Sequence, residues 1–240
     1  MTDRELGFLR EHFSGAELDS AAARVESGEP LAYVIGEWYF YGLTFALNRD
    51  CLIPRPDTEH VVDRAVALLP PNGRFVDLGC GSGCIALSIL RERPDCTALL
   101  CDISEGALSM ARSNAASVGV ADRARFALAD MRRDFLPSGA SFDAIVSNPP
   151  YIRSDVVPTL SEQVRREPRL ALDGGPDGLD FYRAVLDSQL SHLAPRGHII
   201  FEIGFDQADD VRALFASHRL SCTVFRDYGG NDRVAVGSRE

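Results

Sequence analysis

Residues 74–92, RFVDLGCGSGCIALSILRE, constrain the fold more than any other stretch of this 240-residue chain. An apolar run enters three glycines at alternate positions, Gly79, Gly81 and Gly83, and leaves them as a helix-permissive segment. Such a junction is a strand, a tight turn and a helix start, where bare backbone faces whatever approaches the strand end. The flanking chain keeps the same rhythm. Strands are predicted at Arg74 to Leu78, Thr97 to Cys101, Ala124 to Leu128, Phe142 to Ser147 and His198 to Ile203. Helices are predicted at Gly83 to Glu92, Ser104 to Val118, Asp180 to Leu193 and Gln207 to Ser217, with one more at Thr58 to Leu69 ahead of the first strand. Short apolar runs separated by helices imply βαβ units and a mostly parallel sheet buried on both faces.

Two further strands, Cys222 to Arg226 and Arg233 to Val236, have only DYGGND between them and should form an antiparallel hairpin at one edge. Upstream, residues 3–28 suggest two small helices. Trp38 to Leu47, turning at Tyr41-Gly42, suggests a β-hairpin, followed by the proline-punctuated LIPRPD. An α/β, Rossmann-like, seven-stranded sheet closed by an antiparallel hairpin resembles the class I S-adenosylmethionine-dependent methyltransferases. On this reading residues 1–30 are a short helical segment, 31–56 a hairpin and linker, and 57–240 the catalytic domain.

Glycine turns alone do not choose a ligand. Gly81, Gly83 and Ala86 also satisfy the relaxed G-x-G-x-x-A pattern of dinucleotide binders, which keeps a nicotinamide oxidoreductase under consideration. The flanking acids favour the other cofactor. Asp77 closes one strand and Asp102 the next, where a carboxylate can accept both hydroxyls of a ribose. The string D-x-G-x-G-x-G resembles the methyltransferase cofactor loop. That resemblance implies that Gly79, Cys80, Gly81, Ser82 and Gly83 face the methionine part of S-adenosyl-L-methionine. It puts Asp102 at the ribose and Asp130 and Met131 at the adenine, with Ile103 also among the cofactor-binding residues. Asp130 is equally an ordinary turn or capping aspartate, and Thr58, which resembles a pocket residue, is equally a helix cap.

The stretch SNPPYI, residues 147–152, follows the fourth strand of the sheet and so faces the same crevice as the glycines. Methyl transfer from a sulfonium needs a nucleophile in line with the C–S bond, so geometry is the main requirement. A planar amide nitrogen is a poor nucleophile because its lone pair is delocalised. Holding its two N–H groups on fixed acceptors aims it and favours its becoming tetrahedral. Asn148 offers a side-chain oxygen and Pro149 a carbonyl, while Pro149 and Pro150 stiffen the frame and present no competing donor. Tyr151 is expected to pack over the planar group and shield it from water. Asn148 through Tyr151 are thus the candidate catalytic and substrate-binding residues, with Asn148 also beside the cofactor.

Several independent stretches occur in the order seen in one family. EPLAYVIGEWYFYGLTF, LIPRPDTE, VDLGCGSGCIALSI, CDIS, FDAIVSNPPYI, EPRLALDGGPDGLDFY, FEIGFDQ and DYGGNDR together resemble the release factor glutamine methyltransferases, the PrmC/HemK family. The resemblance covers nearly all of residues 29–240. It implies methylation of the glutamine side-chain amide in the Gly-Gly-Gln motif of peptide chain release factors. Arg55 would then help wall the pocket, or equally pair with an acid at the surface. Glu167 would shape a loop near the substrate, which reads equally as a plain glycine-rich loop. Family members usually carry a longer helical region before the EPLAYVIG stretch. About 28 residues precede it here, which points to a shortened recognition segment and leaves a free amino acid such as glutamine or arginine as an alternative acceptor.

A net charge of −10 argues against gripping a phosphate backbone as the main task, although adenine amino-methylation shares the N-P-P-Y clamp. Cysteines at 51, 80, 84, 96, 101 and 222 form no CxxC pair and no metal spacing, so reduced thiols and no metal are expected. No apolar run approaches a membrane span, and the charged start lacks a signal sequence; a cytoplasmic protein is expected.

Overall fold

The structure is a computed structural model that describes residues 1–239. Helices α1 (Asp3–His12) and α2 (Gly15–Glu26) match the two predicted at the start. Thr2 and Glu5 form a reciprocal capping box at the head of α1. A third helix, α3 (Leu31–Ile35), lies where only the approach to the hairpin was expected. Pro30 sets its entry, and Gly36, at φ +86°, ends it in the left-handed conformation. Leu9, Ala21, Val25 and Val34 give these three helices a small core of their own.

Strands β1 (Glu37–Phe40) and β2 (Leu43–Ala46) pair antiparallel across Tyr41-Gly42. Both turn residues have positive φ, 50° and 74°, as a two-residue turn with the right twist requires. Tyr41 tolerates this because its N–H donates to Glu59 at 2.7 Å and its hydroxyl to Asp63 at 2.9 Å. A 3₁₀ turn at Pro56–Thr58 then leads into α4 (Glu59–Leu68).

The sheet comprises β3 (Arg74–Leu78), β4 (Thr97–Asp102), β5 (Ala124–Leu128), β6 (Phe142–Ser147), β7 (Leu193–Glu202), β8 (Leu220–Arg226) and β9 (Asp232–Arg239), in the order β5-β4-β3-β6-β7-β9-β8. Strands β3 to β7 run parallel, whereas β9 is antiparallel to both its neighbours. The expected C-terminal hairpin is present, with its second strand inserted between β7 and β8. On one face α4, α5 (Cys84–Glu92) and α6 (Glu105–Val118) cover Phe75, Leu100 and Val146; on the other α8 (Asp180–Gln189) and α9 (Ala208–Ser217) cover Val76, Ile145 and Phe201. Each apolar strand residue therefore has a helix above or below it, which is why these strands read as unbroken apolar runs.

Several boundaries depart from the sequence reading. The helix expected to reach Leu193 stops at Gln189, because His192 is held by Asp134 at 2.8 Å and by the Ala140 carbonyl at 3.1 Å. Strand β7 then starts at Leu193, paired with Phe142. Strands β8 and β9 extend past the apolar residues into Ser221 and Ser238, whose hydroxyls bond at 2.9 Å on the exposed edge. A short helix α7 (Glu162–Arg165) also forms in the loop after β6, where no periodicity marked it.

Candidate active site

The chain leaves β3 towards β4 on one side, while β6 lies on its other side, so the loops after β3 and β6 part and open a crevice. One loop carries the glycines and the other the N-P-P-Y. Ser147 holds the two strand ends together by donating its hydroxyl to the Leu78 carbonyl at 2.6 Å. Between them lies a cleft of about 290 Å³.

The glycine loop hangs from the next strand: the N–H groups of Gly79 and Cys80 both donate to the Cys101 carbonyl, at 2.8 and 2.9 Å. Gly81, at φ +55°, has open space where a side chain would stand, so its backbone faces the cleft directly. Gly83 is confined differently, with Leu87, Ala111 and Leu100 packed where its Cβ would go. Ser82 is buried at the cleft wall, and its hydroxyl has no partner among the described residues.

Asp77 does not reach the cleft surface. It is fully buried beneath the loop, with Oδ2 accepting from the Ala86 N–H at 3.2 Å and Oδ1 without a partner. Burial pushes its pKa up to about 7. Asp102 does line the cleft. Its Oδ2 accepts from the Gly81 N–H at 2.8 Å and its Oδ1 from the Ser104 N–H at 2.9 Å, and partial burial raises its pKa above the usual carboxylate range. Ile103 beside it is 47% exposed on the cleft wall.

Met131 presses on Gly79 from above, and Asp130 is held by Arg132 through two bonds of 2.9 Å, which lowers the Asp130 pKa. The Arg132 guanidinium also lies 5.5 Å from the centre of the Phe181 ring. Sequence reading missed both Arg132 and Phe181 as cleft residues.

Asn148 and Pro150 line the cleft. The Asn148 Nδ2 donates to the hydroxyl of Thr58 at 3.2 Å, and Thr58 is buried at the end of its turn. Among the described residues nothing donates to Asn148 Oδ1 or to the Pro149 carbonyl. Tyr151 stands behind the wall: its ring packs against the core under α8 and its hydroxyl donates to Glu202 at 3.1 Å.

The loop after α7 closes the opposite side. Glu167 is buried behind it, accepting from the Ile53 N–H at 3.0 Å and from Arg55, while Pro168, Leu170 and Ala171 present the wall itself. Arg55 lines the cleft and is paired with the buried Glu167. Farther along, Gly174 and Gly178 lie against the backbone of Pro150 and Tyr151 with no room for a Cβ. The stretch is therefore packed on the N-P-P-Y turn and is not a free surface loop. Gln207, another residue that sequence reading missed, donates to the carbonyls of Tyr151 at 3.0 Å and Gly178 at 3.2 Å and ties the two together.

Known proteins resemble this chain in sequence and in fold. Residues 60–172 match the methyltransferase small domain family. A release factor glutamine methyltransferase of Neisseria gonorrhoeae is 42% identical over 220 residues, covering 91% of this chain and 80% of that one. One of Caulobacter vibrioides is 41% identical over 226 residues, covering 92% and 78%. Among solved structures, a methyltransferase from Pyrococcus furiosus superposes with a TM-score of 0.64 at 16% identity, over 92% of this chain and all of that one. A ribosomal protein L11 methylase from Lactobacillus delbrueckii gives 0.57 at 19% identity, over 78% and 80%. The structures agree on the fold, and the sequence relatives, matched over most of both chains, place the chain in the family of the release factor glutamine methyltransferases.

Proposed function

We propose that this protein transfers a methyl group from S-adenosyl-L-methionine to the side-chain amide nitrogen of a glutamine presented by a peptide chain release factor. The observation that carries this reading is Asn148 Oδ1, an acceptor without a partner on a residue of the cleft wall that the glycine loop also lines; the Pro149 carbonyl, next in the chain, is likewise without a partner among the described residues. An amide NH₂ has two hydrogens to give, and two rigid acceptors with no other donor match it.

The cleft also fits the cofactor. Gly81 leaves its backbone bare, the Ser82 hydroxyl is without a partner, and Ile103 offers an exposed apolar surface beside Asp102, which suits a sugar carrying a flat base. In our proposal Gly79 to Gly83 hold the methionine part, Asp102 the ribose, and Ile103, Asp130 and Met131 the adenine side. Bound there, the cofactor supplies a methyl group already activated by a positive sulfur, so the protein has no need of a strong acid. Its own residues hold the amide nitrogen still, favour loss of planarity and exclude water. Arg55, Glu167 and Pro168 keep the substrate side of the cleft closed around the glutamine, and Asp77 supports the glycine loop from below.

Labelled methyl transfer to purified release factor, free glutamine and free arginine tests the substrate. Release factor is expected to be the acceptor, and transfer to a free amino acid in preference to it overturns the protein-substrate reading. Asn148→Ala should lower turnover by about a hundredfold or more with little change in cofactor affinity, by comparison with loss of a preorganised polar partner. Near-normal turnover in that variant would remove the clamp.

A further inference from the structure

The loop after β5 carries Asp130 and Met131, and α8 holds it at two places. Gln189, the last residue of the helix, is fully buried. Its Nε2 donates to the Arg133 carbonyl at 2.6 Å and to the Met131 carbonyl at 3.3 Å, and the Ser188 hydroxyl oxygen lies 3.0 Å from the same nitrogen. Towards the other end of the helix, the Phe181 ring has the Arg132 guanidinium 5.5 Å from its centre. Residues 181 and 189 stand about 12 Å apart along an α-helix, so one rigid element spans the loop.

A carbonyl can only accept, so the Gln189 amide must turn its NH₂ towards the loop, and its two hydrogens match the two carbonyls. Its Oε1 is left without a partner among the described residues. A buried acceptor without a partner costs stability, so the gain from this amide lies in the carbonyls it fixes. Those carbonyls belong to a turn that the Arg133 N–H closes on the Asp130 carbonyl at 3.0 Å. Fixing them places Asp130, whose carboxylate is held by Arg132, and Met131, whose methyl group fills the space where a Cβ on Gly79 would stand. Asp130 and Met131 line the cleft, whereas Gln189 lies wholly behind it.

We propose that Gln189 is a positioning residue for the cofactor: through the Met131 and Arg133 carbonyls it sets where Asp130 and Met131 stand, and so how tightly and how selectively the base is held. The inference rests on the reading of Asp130 and Met131 as the adenine side of the cleft. The amino group of adenine has hydrogens to give, and the Asp130 carboxylate is an acceptor on that wall. Hypoxanthine puts a carbonyl in the same place, acceptor against acceptor. Preference for adenine over hypoxanthine therefore reports the position of Asp130, and a general loosening of the fold does not imitate its loss.

The test compares the full-length protein with Gln189→Met, Gln189→Asn and Val185→Ala. Val185 is fully buried one turn back on the same face of α8, so its truncation loosens the packing and leaves the bonds to the loop in place. Titration calorimetry follows S-adenosyl-L-homocysteine and its deaminated analogue, in which hypoxanthine replaces adenine. The wild type is expected to prefer adenine by about tenfold or more. Gln189→Met should weaken S-adenosyl-L-homocysteine by about tenfold and cut the preference to about threefold or less, with kcat on release factor at saturating cofactor nearly unchanged. Val185→Ala should keep both the affinity and the preference. Equal changes in Gln189→Met and Val185→Ala overturn the proposal, and so do wild-type affinity and preference in Gln189→Met. Should Gln189→Met fail to fold, Gln189→Asn decides, because its amide is one methylene too short to reach both carbonyls: an unchanged preference there overturns the proposal. A wild-type protein that binds neither ligand removes the cofactor reading altogether, whereas one that binds S-adenosyl-L-homocysteine without regard to Gln189 loses only the positioning role.

Discussion

Asp102 shows how a single side chain can be placed by its neighbours before any ligand is considered. Both of its oxygens already accept backbone N–H groups, from Gly81 and Ser104, so the carboxylate is locked at the mouth of the cleft while keeping lone pairs for a diol. Removing it frees the Gly81 N–H and loosens the loop at the point where backbone is bare. Asp102→Ala is expected to weaken cofactor binding by about tenfold or more, the scale of lost hydrogen bonds to a charged group. Titration calorimetry with S-adenosyl-L-methionine checks it; unchanged affinity removes the ribose role. Of the residues named from sequence for the cofactor, Asp77 lies beneath the cleft surface, where it accepts from the Ala86 N–H.

At the scale of elements, the site depends on ties between segments far apart in the chain. Asn114 on α6 is 1% exposed and bonds the Ala46 N–H at 2.9 Å, the Ala46 carbonyl at 3.0 Å and the Ser82 carbonyl at 2.9 Å. One amide thus joins the small hairpin to the glycine loop. Asn114→Ala leaves three backbone groups without partners and should cost about 2–4 kcal/mol in chemical denaturation. A loss under 1 kcal/mol would show that water replaces the amide. The 174–178 segment makes a second tie. A methyl group at Gly174 meets the Pro150 carbonyl and the Tyr151 Cα, each at 2.7 Å, so Gly174→Ala must displace the N-P-P-Y turn or its own loop. We expect kcat to fall well below the wild-type value while cofactor affinity holds, since the glycine loop lies on the other side of the cleft. Equal losses in both would mean that the whole sheet edge had moved.

For the whole molecule, the buried acids impose a pH dependence on stability. The folded pKa of Asp77 is raised from 3.8 to about 7, so between those values the folded state binds the extra proton. Stability from this group is therefore full below about pH 4 and declines as the pH rises towards 7. Glu29 acts in the opposite sense. Buried and held by Arg24 at 2.8 Å and Arg49 at 2.6 Å, it has its pKa lowered from 4.5 to about 2, and its contribution is present above 4.5 and lost as the pH falls through 2. Asp77→Asn keeps an acceptor for the Ala86 N–H and removes the titration. Its melting temperature is expected to decline less than that of the wild type between pH 5 and 8, measured by differential scanning calorimetry. Parallel curves would show that Asp77 is not the group responsible.

Features written in neighbouring residues were legible before any packing was known. The strand–glycine–helix junction at 74–92, the alternation behind the parallel sheet, the hairpin turn at Tyr41-Gly42 and the stiff frame of SNPPYI are all local. Each depends on backbone limits and side-chain periodicity within a few positions. What lies behind these pieces was set by packing. Placing β6 beside β3 set the two loops at one crevice, and packing then brought Thr58 to Asn148 across 90 residues, Glu202 to Tyr151 across 51 and Asn114 to Ala46 across 68. A lone glutamate after a β-branched strand, or an asparagine inside a helix, carries no local mark of its partner. Its partner is chosen by which helix covers which face of the sheet, and that is settled by burial of the apolar residues between them.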